Sequence, residues 1–273
     1  MVFESLINPI KAEKRPWKML FIGIIYTSVA IILSLYIFRE YSSLVMIFLT
    51  MLPSVPLIYS AIKMEEKKDT EYHEEKFLIK EHGKVLAFYV FLFFGMVISF
   101  ALWYAFLPVD LSSLLFQTQI KEIQEIHEIN LRTGNAISLF SAFSKILMNN
   151  VWVLIFSLLF SFIYCIGGIF ILAWNASIIG TAIGIFIKNS IHSYFLSVPL
   201  GLLRYSIHGI PEITAYFVAG LSGGLISIAV VRHGVGSEKF ARVFVDSLNL
   251  IIISVVILII AGLLEVFVTP IIF

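Results

Sequence analysis

Charged and uncharged positions are segregated along this 273-residue chain. Runs over 19–38, 41–62, 85–109, 146–187, 189–203, 213–231 and 247–264 contain no Asp, Glu, Lys or Arg, and every charge falls outside them. An apolar run of 18 or more residues is long enough, as a helix, to cross roughly 30 Å of hydrocarbon. Only helices or closed barrels satisfy the backbone there, and runs of this length are helical. The pattern therefore predicts seven spans, over 17–38, 41–62, 85–107, 150–173, 175–191, 211–231 and 248–270. The 42-residue run over 146–187 would be about 63 Å of helix at 1.5 Å per residue, which is two crossings, with the bend expected at Trp174 and Asn175. The first run exceeds the roughly 7 to 15 residues of a signal-peptide core and has no small-residue cleavage site after it, so it reads as a retained span. The fold class is an all-α, polytopic transmembrane helical bundle.

Composition agrees: 59% of residues are hydrophobic and 14% charged, against about 25% charged in an ordinary soluble domain. That excludes a soluble globular domain, a disordered chain and a disulfide scaffold. A net charge of +1 offers no basic field for nucleic acid. The lone Cys165 has no partner for a disulfide and sits in an apolar run, as a small packing residue does. Lys11, Lys14 and Arg15 before the first span, and Lys63, Lys67, Lys68, Lys76, Lys80 and Lys84 after the second, place both segments on the cytoplasmic side. Arg232, Lys239 and Arg242 then also lie inside if 175–191 crosses fully, and the C-terminus lies outside. A re-entrant pair of half-helices over 175–206 is the alternative, and charge bias disfavours it.

Three parts follow: an N-terminal transmembrane hairpin over 1–63, a charged cytoplasmic connector over 64–84, and a five-span domain over 85–270. The connector mixes acids and bases as a solvated helix does, with His73 and His82 as surface residues. In the outer segment over 109–149, Ile120, Ile123, Ile126 and Ile129 alternate with charged and polar residues. It reads either as a partner-binding or membrane-surface helix, or as a lid packed on its own spans.

Ionisable residues at membrane depth are costly, so Arg204, His208, Glu212 and Glu265 are the informative positions. With Asn149 and Asn150 opening the fourth span, the expected topology brings them to one outer-leaflet level. Gly209 and Pro211 read as a helix start, with Glu212 favoured by the N-terminal dipole. As structure, the group is a clamp in which Arg204 pairs with Glu212 or Glu265. As function, it is a proton or ligand site. His208 with two carboxylates is too sparse a donor set to argue a metal. Gly180 and Gly184 form one GxxxG and Gly220 and Gly224 another, extended by Ala176, Ala215 and Ala219; these faces suit packing of the fifth span on the sixth, or a dimer. Gly220-Leu221-Ser222-Gly223 matches the GxSG of rhomboid intramembrane proteases. The later His233, however, is eleven residues on in the same helix, about 16 Å away, beyond reach of a nucleophile. No HExxH, intramembrane Asp pair or phosphate-binding glycine loop is present.

Four ordered blocks carry a resemblance: Asn149-Asn150; Gly167-Gly168 with Asn175 and Gly180; His208-Gly209-Ile210-Pro211-Glu212 leading to Ala219-Gly220; and Glu265-Val266-Phe267-Val268-Thr269-Pro270. Over about 84–270 the chain resembles the stage II sporulation protein M family, although Ala176 stands where that family often has Gly. The resemblance implies five spans and no known catalytic activity. It also implies action alongside other envelope proteins, the namesake localising peptidoglycan-degrading partners during engulfment of a forespore. The reading is a multi-pass cell-membrane scaffold or assembly protein without a cofactor, a homo-oligomer with a dimer favoured, meeting the lipid bilayer and other membrane or envelope proteins. The alternative is a transporter or channel for a small solute or proton.

Overall fold

The computed structural model describes residues 15–71, 75–124, 139–162, 166–190 and 197–272, with backbone alone over 68–71, 75–82, 166–167, 190 and 197–206. No strand occurs among the described residues. The long helices are α1 (Lys18–Ile37), α2 (Ser42–Glu71) and α3 (Glu75–Phe106); a short α4 (Val109–Leu115) follows, then α5 (Leu139–Ser161), α6 (Ile166–Ser190), α7 (Ser197–His233) and α8 (Glu238–Leu263). A π-helical turn, Leu264–Val268, leads into a last helix, α9 (Thr269–Ile272). Among the described residues, seven helices are long and apolar enough to cross a membrane, as the charge pattern requires of a multi-pass membrane protein. "Inner" below names the end that carries Arg232 and Lys239, following the distribution of positive residues.

Each of the last four spans begins earlier than the sequence expectation. The fourth span begins at Leu139 rather than 150 and ends at Ser161. The fifth runs unbroken from Ile166 to Ser190 through Trp174 and Asn175. Asn175 is therefore no helix break: its side-chain amide donates to the Ile171 carbonyl one turn back (2.8 Å), so the helix itself absorbs the polar group. α5 ends at Ser161 and α6 opens at Ile166, and the two helices lie close there: a Cβ on Gly168 would stand 2.6 Å from Ser161 Oγ. A 25-residue α6 also replaces the re-entrant alternative with one full-length helix. Gly209 and Pro211 do not start the sixth span either. Both lie inside the 37-residue α7, because the preceding apolar residues Val198, Leu200, Leu202 and Leu203 carry the helix back to Ser197. Proline is tolerated inside such a helix when its neighbours hold it. Finally, α8 begins at Glu238, with the Phe240 N–H donating to the N-cap hydroxyl of Ser237 (3.1 Å). Gly234 and Gly236, at φ of 73° and 97°, make the tight turn that a side chain would strain.

The main core joins all the long helices except α5. Met46, Ile47 and Ile58 of α2 meet Leu92, Met96 and Phe100 of α3, Ile169 and Leu172 of α6, and Leu221 and Leu225 of α7. α7 is the most enclosed, with 78% of its most apolar window buried. Glycines set the closest approaches, and not where expected. Gly180 and Gly184 pack against α3 rather than α7: added Cβ atoms would lie 2.6 Å from Phe100 Cβ and 2.6 Å from Tyr104 Cβ. Gly23 of α1 crosses Gly95 of α3 so tightly that a Cβ at Gly95 would lie 2.1 Å from the Leu20 carbonyl oxygen. On α7, Gly220 faces Ser157 and Ser161, and Gly223 faces the Leu158 carbonyl; Gly224 is buried beside them. The small-residue faces are thus engaged within the molecule.

Of the two charged segments, the connector departs from expectation, while the outer segment follows the lid reading over its described residues. The connector read as starting at Met64 opens inside α2, where Glu65 and Glu66 are fully buried. Arg232 and His233, at the inner end of α7, both bond the Glu66 carboxylate, so the hydrophobic run of α2 ends in an ion-paired seam rather than in solvent. The outer segment is not one amphipathic helix. Over 109–124 it is a lid on its own spans: Leu115 and Phe116 are buried, and Gln119 donates to Ser177 Oγ (3.3 Å) while accepting from Ser43 Oγ (3.1 Å). Ile120 packs on the core. Ile126 and Ile129, with His73, lie outside the described residues, and the described chain resumes at Leu139 as a membrane span.

Candidate functional site

A smaller core cluster of Leu154, Ala215, Tyr216, Ala219 and Leu258 joins α5, α7 and α8, and the polar residues gather at its outer edge. α7 supplies His208, Glu212 and Tyr216, spaced four apart and therefore stacked on one helix face. The Tyr216 hydroxyl donates to Glu212 Oε1 at 2.7 Å. Asn150 of α5 is a second hydrogen-bond partner of the same carboxylate. Glu265 approaches from the π turn, close enough to Glu212 and to Tyr216 for their charges to act on one another.

The π turn has a covalent cause. Pro270 has no N–H, and just before it the Thr269 N–H bonds the Leu264 carbonyl, five residues back. Thr269 Oγ1 donates to the same carbonyl (3.0 Å) and stands 3.4 Å from His208 Nδ1. Such one-turn π segments concentrate where a helix must present particular side chains. Here one wide turn brings Glu265 toward Glu212 and Thr269 toward His208.

Of the residues singled out from the sequence, Asn150, Glu212 and Glu265 thus come together, with His208 joined through Thr269. Asn149 does not; it is exposed on the flank of α5, its Nδ2 donating to Asn150 Oδ1 at 3.4 Å. Neither asparagine opens a span, since α5 starts eleven residues before Asn150. The Arg204 side chain lies outside the described residues. Tyr216 and Thr269 are the contributors that sequence reading passed over. Their signals were Tyr216 standing one turn after Glu212, and a hydroxyl directly before Pro270.

Beside the cluster lies a cavity of about 10 Å³, bordered by Ser157, Gly168, Asn175, Tyr216 and Phe217. That is room for about one water molecule. Ser157 Oγ donates to the Tyr216 carbonyl there (3.1 Å), tying α5 to α7. Among the described residues no three of His, Cys, Asp and Glu stand close enough to share a metal ion. Ser222 is buried and donates to the Ser247 carbonyl of α8 (2.8 Å), while His233, the later histidine on the same helix, is held by Glu66.

Compared with known proteins, residues 87–270, about two thirds of the chain, match the family model described as Stage II sporulation protein M. No curated protein matches, and no solved structure does.

Proposed function

The chain belongs to the stage II sporulation protein M family, and from that premise we propose that it is a non-enzymatic integral membrane scaffold, which recruits or organises other membrane or envelope proteins. The observation that carries this reading is how the intramembrane polar groups are spent. Glu212 is held by Tyr216 and Asn150, and the adjoining cavity takes no more than about one water. Polar side chains used in this way fasten helices to one another. A carrier instead keeps its polar groups at a substrate-sized site between repeats that rock. The N-terminus lies in the cytoplasm and the C-terminus outside, with the lid over 109–124 presenting Lys121 and Gln124 to partners on the outer face.

One arm of the test asks about partners. Lys121→Ala with Gln124→Ala leaves the buried Leu115, Phe116 and Gln119 in place, and recovery of co-purifying envelope proteins is expected to fall. Equal recovery removes the lid as the docking face. The other arm asks about transport, the reading that the neighbouring Glu212 and Glu265 favour. Purified protein in liposomes is expected to pass protons and small ions no faster than empty liposomes. Flux that Glu212→Gln or Glu265→Gln abolishes would replace the scaffold with a transporter.

A further inference from the structure

α5 is the least enclosed span: 17% of its most apolar window is buried, against 28% for α1 and α8 and 44% or more for the other four. Its outward face carries Met148, Asn149, Trp152, Phe156, Leu159 and Phe160. The ring of Trp152 lies 6.3 Å from that of Phe156, which stacks on Phe160 at 5.9 Å, so the aromatic side chains form a preordered ridge. Lipid alone accounts for such a ridge, but not for Asn149. A carboxamide offers two N–H donors and two acceptor lone pairs, and among the described residues this one makes a single long hydrogen bond, to its own neighbour. The helix runs ten residues outward from it and twelve inward. In lipid a polar side chain so placed is satisfied by another helix.

We propose that this face of α5 joins two copies of the chain, side by side and parallel, about a two-fold axis along the membrane normal that passes near Asn149. Three observations select a second copy over an unlike partner. A carboxamide is its own complement, donor to acceptor, so two-fold symmetry pairs Asn149 with Asn149 at equal depth. The steps from 149 to 152, 156 and 159 are three, four and three residues, the repeat by which two like helices mesh, with a single Asn setting their register. The glycine faces that could otherwise bring copies together are filled from within. Exposed Lys145 lies one turn outward on the same stripe, and mutual repulsion of two ammonium groups confines close contact to Asn149 and the turns inward of it. The inference is independent of whether the protein recruits partners.

The test uses the full chain with Cys165→Ser, so that introduced cysteines are the only thiols. Oxidation in membranes is expected to crosslink Leu159→Cys to itself and to leave Ile25→Cys, on the exposed face of α1, monomeric. Energy transfer between labelled copies in liposomes is expected to show Asn149→Leu weakening the dimer about tenfold and Asn149→Gln retaining it. Unchanged melting of the exposed-site variants separates this from misfolding. A monomer at every lipid dilution, equal crosslinking at both positions, an unaffected Asn149→Leu dimer, or a crosslink to a different protein would each overturn the proposal.

Discussion

Tyr216 is the residue on which the polar cluster turns, since its hydroxyl holds Glu212 while its backbone carbonyl takes the Ser157 hydroxyl. Tyr216→Phe keeps the ring and leaves a carboxylate oxygen without its donor. It is expected to cost about 1–3 kcal/mol, read as a lower midpoint of thermal unfolding in detergent. If the midpoint does not move, the bond does not clamp α7. Glycines give a sharper contrast. Gly95→Ala drives a methyl into the Leu20 carbonyl and is expected to abolish a monodisperse product on size-exclusion chromatography. Gly209→Ala meets nothing within 4 Å and removes a flexible residue from inside α7, so it is expected to stabilise by about 0.5–1 kcal/mol. A helix start at Gly209 and Pro211 would forfeit that gain. At this scale Glu212 and Glu265 were legible because a lone charge at the edge of a long uncharged run is conspicuous. Tyr216 was not, because an aromatic ring is at home in any membrane helix.

Among the elements, the outer corner between α3 and α4 depends on a residue from a third helix. Lys188, near the end of α6, donates to the carbonyls of Leu107 (2.7 Å) and Tyr104 (3.4 Å) and to Ser112 Oγ (2.9 Å). A cation at the C-terminal end of α3 is also attracted to the negative end of that helix's dipole. Lys188→Met strips three acceptors of one donor. Amide exchange over 107–115 is expected to quicken while exchange in α8 stays as it was; a uniform change across both would mean that Lys188 stabilises the fold at large. Helix existence was readable at this scale, but helix ends were not. α5 ends and α6 begins in a stretch as apolar as the spans themselves, whereas Asn175, the polar residue that looked like a bend, satisfies itself within its own turn.

Across the whole molecule, the N-terminal hairpin is built into the bundle rather than appended to it. α1 crosses α3 at Gly23 and Gly95, Ser28 Oγ accepts from Trp103 Nε1 (3.1 Å), and Glu66 at the far end of α2 is bound by Arg232 and His233 of α7. Removing residues 1–62, which leaves the family-matching region intact, is therefore expected to yield aggregated protein rather than a stable five-span unit. A monodisperse truncated protein would make the hairpin a separable addition. Charge-free runs by themselves determined that this is a seven-span helical membrane protein. Lipid excludes both charges and unpaired backbone, so length and hydropathy suffice to name the spans. Four short blocks were enough to identify the family. Tertiary structure alone decided which glycine meets which helix, that Glu65 and Glu66 are buried rather than solvated, and that α5 keeps Asn149 on its outer face. A membrane helix is apolar on every side, so its sequence records that it crosses but not which face meets a neighbour; contacts between helices assign the faces.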